Sequence, residues 1–207
     1  MNSYFTSTLF RKTLAALSGL FLTLFLIGHL VGNLQLIMFS SSIAQQKFNE
    51  YALFMTTNPA VNILSILTYT CIILHTILTI FLSIQSKNAR PVGYSVSSRS
   101  GNSNWSSRNM PLLGVLVLVF IVIHMKSFWY EMHWGEVGND SWGNQDLYTV
   151  AVTAFREVWY TLFYVFSMVI LGLHLNHGVA SAFQTLGLKT QKYLSTIEKF
   201  SGAFSIL

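Results

Sequence analysis

Four stretches of this chain stay apolar for longer than the core of a water-soluble domain requires, and its polar residues gather between them. A hydrocarbon core about 30 Å thick takes about 20 residues of helix to cross. The apolar runs at roughly 13–38, 60–84, 111–134 and 157–180 all reach that length. None shows the period-2 alternation of an outer-membrane β-strand, so the pattern predicts an all-α integral membrane helical bundle, one domain over residues 1–207. The first run exceeds the about 7–15 apolar residues of a signal-peptide core. It also passes through "GHLVGN" without a small-x-small cleavage site, so it is expected to remain in the mature protein. The tail "KYLSTIEKFSGAFSIL" reads as a partial or truncated fifth helix over about 193–207.

Composition agrees with the pattern. Hydrophobic residues make up 52% of the chain and charged residues 9%, against about 25% charged in an average soluble domain. The few charges set an expected topology. Arg11 and Lys12 precede the first run, Lys87, Arg90, Arg99 and Arg108 lie between the second and third, and Lys189, Lys192 and Lys199 follow the fourth. By the positive-inside rule these segments face the cytoplasm, N-terminus included. Lys47 and Glu50, and Glu136, Asp140 and Asp146, fall in the two opposite connections. The net charge of +5 is therefore a topology signal, with lipid head groups or a partner protein as its targets rather than nucleic acid.

Cys71, in the second run, is the one cysteine. It excludes a disulfide framework, iron–sulfur ligation by this chain and a C-x-x-C-H haem attachment, and reads as a small buried hydrophobe. Any metal centre must then rest on histidine. Each apolar run carries one well inside it: His29, His75, His124 and His174. A polar side chain at that depth is costly and faces the bundle interior or a cavity. At 1.5 Å of rise per residue, with runs one and three directed outward, His29 and His124 lie roughly 2–5 Å to the outer side of centre, and His75 and His174 roughly 4–8 Å to the inner side.

Each such pair comes from two helices of like direction, an arrangement able to clamp a flat macrocycle. Six-coordinate haem b takes two axial imidazoles and, with no open position, suits one-electron transfer. Gly19, Gly28, Gly32, Gly114, Gly172 and Gly178 would reduce bulk beside such a ring, although small residues also serve plain helix packing in membranes. His133, at the aqueous end of run three, and His177, one turn beyond His174, read as non-ligands.

The segments "RKTLAALSGLFLTLFLIGHLVGN", "LHTILT", "FIVIHMKSFW" and "HLNHGVASAFQTLGL" resemble the dihaem cytochrome b membrane-anchor subunit of succinate:quinone oxidoreductases, the succinate dehydrogenases and fumarate reductases, in the single-anchor type. The likeness covers nearly the whole chain. It implies His29 and His124 as ligands of the outer (distal) haem b, and His75 and His174 as ligands of the inner (proximal) one, the pairing also reached by depth. It implies a flavoprotein subunit and an iron–sulfur subunit docked on the cytoplasmic face of a bacterial cytoplasmic membrane, with a quinone, menaquinone among the candidates, as redox partner. Succinate chemistry itself is not expected on this chain. Family members complete a fifth helix, which here is missing or partial.

A quinone needs hydrogen-bonding groups for its oxygens and an apolar slot for its tail. Gln45, Glu50, Asn58 and Asn62 are the candidates near the outer haem, and Arg11, Lys12, Ser18 and Arg108 the candidate partners for inner-side propionates or phosphate. Two other classes remain open on the residues alone. One is a different bis-histidine membrane cytochrome, b561-like or the anchor of a hydrogenase or formate dehydrogenase. The other is a proton-relay transporter.

Overall fold

The computed structural model describes residues 7–89 and 105–206; Arg90 and Arg99 of the basic connection, and Leu207, lie outside the described residues. Regular structure among the described residues is helical, apart from an isolated bridge between Asn139 and Gln145. Four helices are long and apolar enough to cross a membrane: Thr8–Met38, Pro59–Asn88, Met110–Trp134 and Val158–Thr185, here spans one to four. The chain is a multi-pass membrane protein.

The spans begin and end beyond the apolar runs, at Thr8 rather than about 13 and at Asn88 rather than about 84, because a helix continues through polar residues after it leaves hydrocarbon. Asn58 and Pro59 fix the start of span two. The Asn58 side-chain oxygen accepts from the N–H groups of Ala60 and Val61 at 2.9 and 3.3 Å, and proline at the first helical position forfeits a donor that would have had no partner.

The spans are turned inside out relative to a soluble bundle. Leu24, Ile63, Ile66, Ile73, Val122, Val165 and Val169 are exposed, while Ser18, Thr23, Thr68 and Ser167 are buried. Lipid offers backbone and hydroxyl groups no hydrogen bonds, so they must be satisfied within the protein. The hydroxyls do this by bonding back one turn: Thr23 to the Gly19 carbonyl at 2.9 Å, Thr68 to Leu64 at 2.9 Å and Ser167 to Phe163 at 2.8 Å.

By their internal contacts the described residues form two compact units. The first comprises the described parts of Met1–Thr23, Thr70–Leu118 and Met168–Leu207. Ala15, Ala16, Leu113, Ile170, Val179 and Ala182 are buried in it. The Arg11 guanidinium sits 4.5 Å over the Phe81 ring. The expected fifth helix runs from Leu194 to Ile206, 13 residues, or about 20 Å at the α-helical rise, less than a bilayer core. It lies against span four, where the Ser201 hydroxyl donates to the Asn176 carbonyl. A side chain on Gly172 would meet the Ser205 carbonyl oxygen at 2.6 Å. Gly187, at φ +74°, makes the left-handed turn that ends span four.

The second unit comprises Leu24–Tyr69 and Val119–Ser167. Two helices that the sequence reading treats as connections appear here, Ser41–Thr57 and Leu147–Arg156. They pack on each other around Ala44, Asn49, Leu147 and Ala151, all buried. Asn49, 1% exposed, donates to Asp140 Oδ2 at 3.0 Å and Asp146 Oδ1 at 3.1 Å, and accepts from the Tyr148 N–H at 2.9 Å. Asp146 caps Leu147–Arg156 through the Thr149 N–H at 3.2 Å and also accepts from the Gln45 amide at 2.7 Å. Burial pushes both carboxyls upward, but their hydrogen bonds outweigh it and hold them below the ordinary carboxylate range.

Candidate functional site

The four intramembrane histidines divide between the two units, two in each. In the second unit, spans one and three supply His29 and His124, whose ring centres are 5.5 Å apart at an interplanar angle of 83°. Phe25 stacks on His29 at 5.4 Å, while Phe120 and Phe128 flank His124 at 5.6 and 5.4 Å. His124 Nδ1 lies 3.0 Å from the Tyr164 hydroxyl of span four. Immediately after His124 the helix widens into a π-helical turn, Met125–Tyr130, a rare form that concentrates at functional sites. Nothing in the apolar pattern of "IHMKSFWY" marks it.

In the first unit, His75 Nδ1 lies 3.0 Å from the Ala15 carbonyl oxygen and 3.4 Å from the Ser18 hydroxyl. Gly19 gives the ring room, since a Cβ there would stand 2.9 Å from His75 Cε1. His174, on span four, faces Gly114 of span three, where a Cβ would come within 3.7 Å of His174 Cε1. It belongs to the same unit as His75 and His177. Its Nδ1 is buried and has no hydrogen-bond partner among the described residues, which is rare and costly for a polar atom.

Each pair can be tested against a bis-histidine haem. A metal-bound imidazole coordinates through one nitrogen and donates the other N–H to a carbonyl or similar acceptor, which fixes the tautomer. His75 meets this condition through the Ala15 carbonyl, which can only accept; the Tyr164 hydroxyl can either accept from His124 Nδ1–H or donate to Nδ1, and when it accepts, Nε2 is left for the metal. Two metal–nitrogen bonds of about 2 Å and the depth of both rings put the ring centres of an axial pair roughly 6 Å apart. The His29–His124 separation is close to that. Gly19 and Gly114 leave room beside His75 and His174; the fit rests on the His29–His124 spacing and on the groups opposite His75 and His124 Nδ1, while His174 Nδ1 has no such partner among the described residues. Among the described residues no cluster of three or more His, Cys, Asp or Glu side chains is arranged to hold a bare metal ion, so the candidate donors come in pairs.

The glycines separate by what they face. Gly19 and Gly114 face histidines; Gly32 lies under the Tyr51 ring, Gly172 against the Ser205 carbonyl and Gly178 near the Met110 methyl at 3.6 Å, while Gly28 has open space. His133 turns back on its own helix, Nδ1 2.8 Å from the Trp129 carbonyl. His177 is half-buried, and Cys71 is a free thiol.

The four candidate quinone residues do not converge on one point. Gln45 is engaged by Asp146, and Asn58 caps span two. Glu50 accepts from Gln46 at 2.8 Å and Lys47 at 3.3 Å, bonds that lower its carboxyl below the ordinary range. Asn62 is exposed in the first turn of span two. Among the candidate propionate partners, Ser18 is 4% exposed and bonds back to the Leu14 carbonyl at 2.8 Å, so it belongs to the setting of His75. Arg11 covers Phe81, and Lys12 is exposed. Arg108 ends the short helix Trp105–Arg108.

Sequence reasoning missed Tyr164. It stands one turn after Tyr160, whose hydroxyl is 3.0 Å from its own, and only the Tyr-x-x-x-Tyr spacing on one helical face hinted at a polar pair.

Comparison with protein-family models, with curated proteins and with solved structures finds no match.

Proposed function

We propose that this chain is a bis-histidine membrane cytochrome b that holds two haems b and acts as the anchor and electron-transfer subunit of a succinate:quinone oxidoreductase or fumarate reductase. The observation that carries the reading is the pairing of histidines by unit, His29 with His124 and His75 with His174, each pair drawn from two different spans.

His75 donates its Nδ1–H to the Ala15 carbonyl and keeps the Nε2 lone pair available. His124 does the same with Tyr164. Gly19 and Gly114 keep side chains away from the His75 and His174 rings, and the apolar exteriors of the spans exclude water from both pairs. Bound haems would supply one-electron transfer between an iron–sulfur partner and a membrane quinone, menaquinone among the candidates.

The location is the bacterial cytoplasmic membrane with the N-terminus in the cytoplasm, from the positions of Arg11, Lys12, Lys189, Lys192 and Lys199. A flavoprotein and an iron–sulfur subunit dock on that basic face. The likeness of "FLIGHLVGN" and "HLNHG" to the family's ligand motifs favours this complex over other bis-histidine anchors.

A pyridine haemochrome assay with a dithionite-reduced spectrum, quantified per chain on protein expressed with its partners, tests the reading. About two haems b per chain are expected, with flavin and iron–sulfur subunits co-purifying. A folded preparation with no haem overturns it.

A further inference from the structure

His75 and His124 are held in different ways. The acceptor opposite His75 Nδ1 is a backbone carbonyl, which no side-chain substitution removes. The acceptor opposite His124 Nδ1 is the hydroxyl of Tyr164 at 3.0 Å, which in turn lies 3.0 Å from the hydroxyl of Tyr160. The Tyr164 ring is wedged edge-on between Phe120 at 5.1 Å and Phe155 at 4.8 Å, so its hydroxyl is aimed by packing. We infer that Tyr164, supported by Tyr160, is a positioning residue that orients the His124 imidazole and sets the reduction potential of the haem it binds.

The inference rests on the cytochrome reading and adds to it. If Nε2 of His124 is on the metal, the proton of the neutral ring is on Nδ1, and Tyr164 must accept it. With the His124 N–H donating to it, the Tyr164 hydroxyl places its own proton on the Tyr160 oxygen 3.0 Å away, a hydroxyl–hydroxyl contact that can run in either direction. An acceptor behind the imidazole makes the ligand more electron-donating, which favours the ferric state and lowers the potential. Tyr160 takes that proton and orders the hydroxyl, so its removal weakens the acceptor and acts through Tyr164.

The test is potentiometric titration of the haem-loaded complex, wild type against Tyr164→Phe and Tyr160→Phe. Phenylalanine keeps the ring that fills the aromatic cluster, so Y164F deletes little besides the hydroxyl. One haem should move to a higher midpoint potential in Y164F, its ferric-to-ferrous ratio at fixed potential falling about two- to tenfold, the scale of one hydrogen bond. The second haem should stay where it was, and the low-spin electron paramagnetic resonance signal of the first alone should change. Tyr160→Phe should shift the same haem by less. Both haems bound with unmoved potentials in Y164F overturn the inference, as does an unmoved potential in Y160F should Y164F shed its haem. Wild-type protein without haem defeats the cytochrome reading instead, which separates the two failures.

Discussion

His75 Nδ1 and the Ala15 carbonyl oxygen are joined across two spans at 3.0 Å, and what makes the contact possible is the residue one turn further along, Gly19. A helix carbonyl points toward the residue four ahead, so any side chain at 19 would screen the Ala15 oxygen from a neighbour. Glycine there lets the Cε1 edge of the imidazole come close to span one and reach the Ala15 oxygen, which also accepts from the Ser18 hydroxyl at 3.1 Å.

A Cβ at position 19 would stand 2.9 Å from His75 Cε1 and 3.3 Å from Nδ1, and Gly19→Ala should therefore swing the ring off Ala15. Haem content should fall from about two per chain to about one, with an overpacking cost of about 1–3 kcal/mol seen as a lower melting temperature. Gly202→Ala, in the helix Leu194–Ile206 that carries no candidate ligand, is the control, since nothing lies within 4 Å of its Cβ. It should keep both haems and gain about 0.5–1 kcal/mol from reduced backbone freedom. Equal haem content in the two variants would sever the link between Gly19 and His75.

The spans were legible because length and apolarity are local properties. The packed pair of helices, Ser41–Thr57 and Leu147–Arg156, was not, because what defines it is the meeting of Asn49 with Asp140 and Asp146, whose separation along the chain hides the match. In isolation Gln45, Asn49 and Glu50 look like solvated loop residues. The histidine pairs were accessible to counting, since rise per residue converts position into depth. The glycines were not, because small size gives no hint whether a histidine, a tyrosine or another helix will lie beside it.

Asn49 holds three hydrogen bonds while almost fully buried. Asn49→Ala strands the Tyr148 N–H and takes a donor from each carboxylate, and should cost about 1.5–4.5 kcal/mol, at roughly 0.5–1.5 for each of the three bonds. Gln46→Ala removes only an exposed contact with Glu50 and should cost next to nothing. Thermal unfolding of the two variants in detergent, followed by tryptophan fluorescence, gives the comparison; similar midpoints would mean Asn49 is dispensable.

Acid should open the same region. Asp140 and Asp146 have folded-state pKa values below their ordinary 3.8. Their contribution is thus complete above that value and is lost as the pH falls through the lower folded pKa. Trp142, whose N–H donates to Asp140 at 2.9 Å, is a local reporter. Its fluorescence should be flat from neutral pH down to about 4 and change below it, and Asp140→Asn should shrink that transition to the share carried by Asp146. A transition centred near pH 6 would point to histidine instead.

The pairing of ligands makes a prediction that neither a structural nor a proton-relay role for these histidines shares. Two histidines that clamp one macrocycle are each necessary to it, so His29→Ala and His124→Ala should delete the same haem, and His75→Ala and His174→Ala the other. Two haems in such different settings would differ in midpoint potential and reduced α-band, so that each single variant could be assigned by what remains. His133→Ala should keep both haems, because its side chain is exposed at the end of span three and belongs to neither pair. His174 gives the sharpest case. Its Nδ1 has no partner among the described residues, so as a merely structural side chain it would be a burden whose loss stabilises the bundle. As a ligand, its loss costs one haem and lowers the melting temperature, and those opposite signs decide between the two roles.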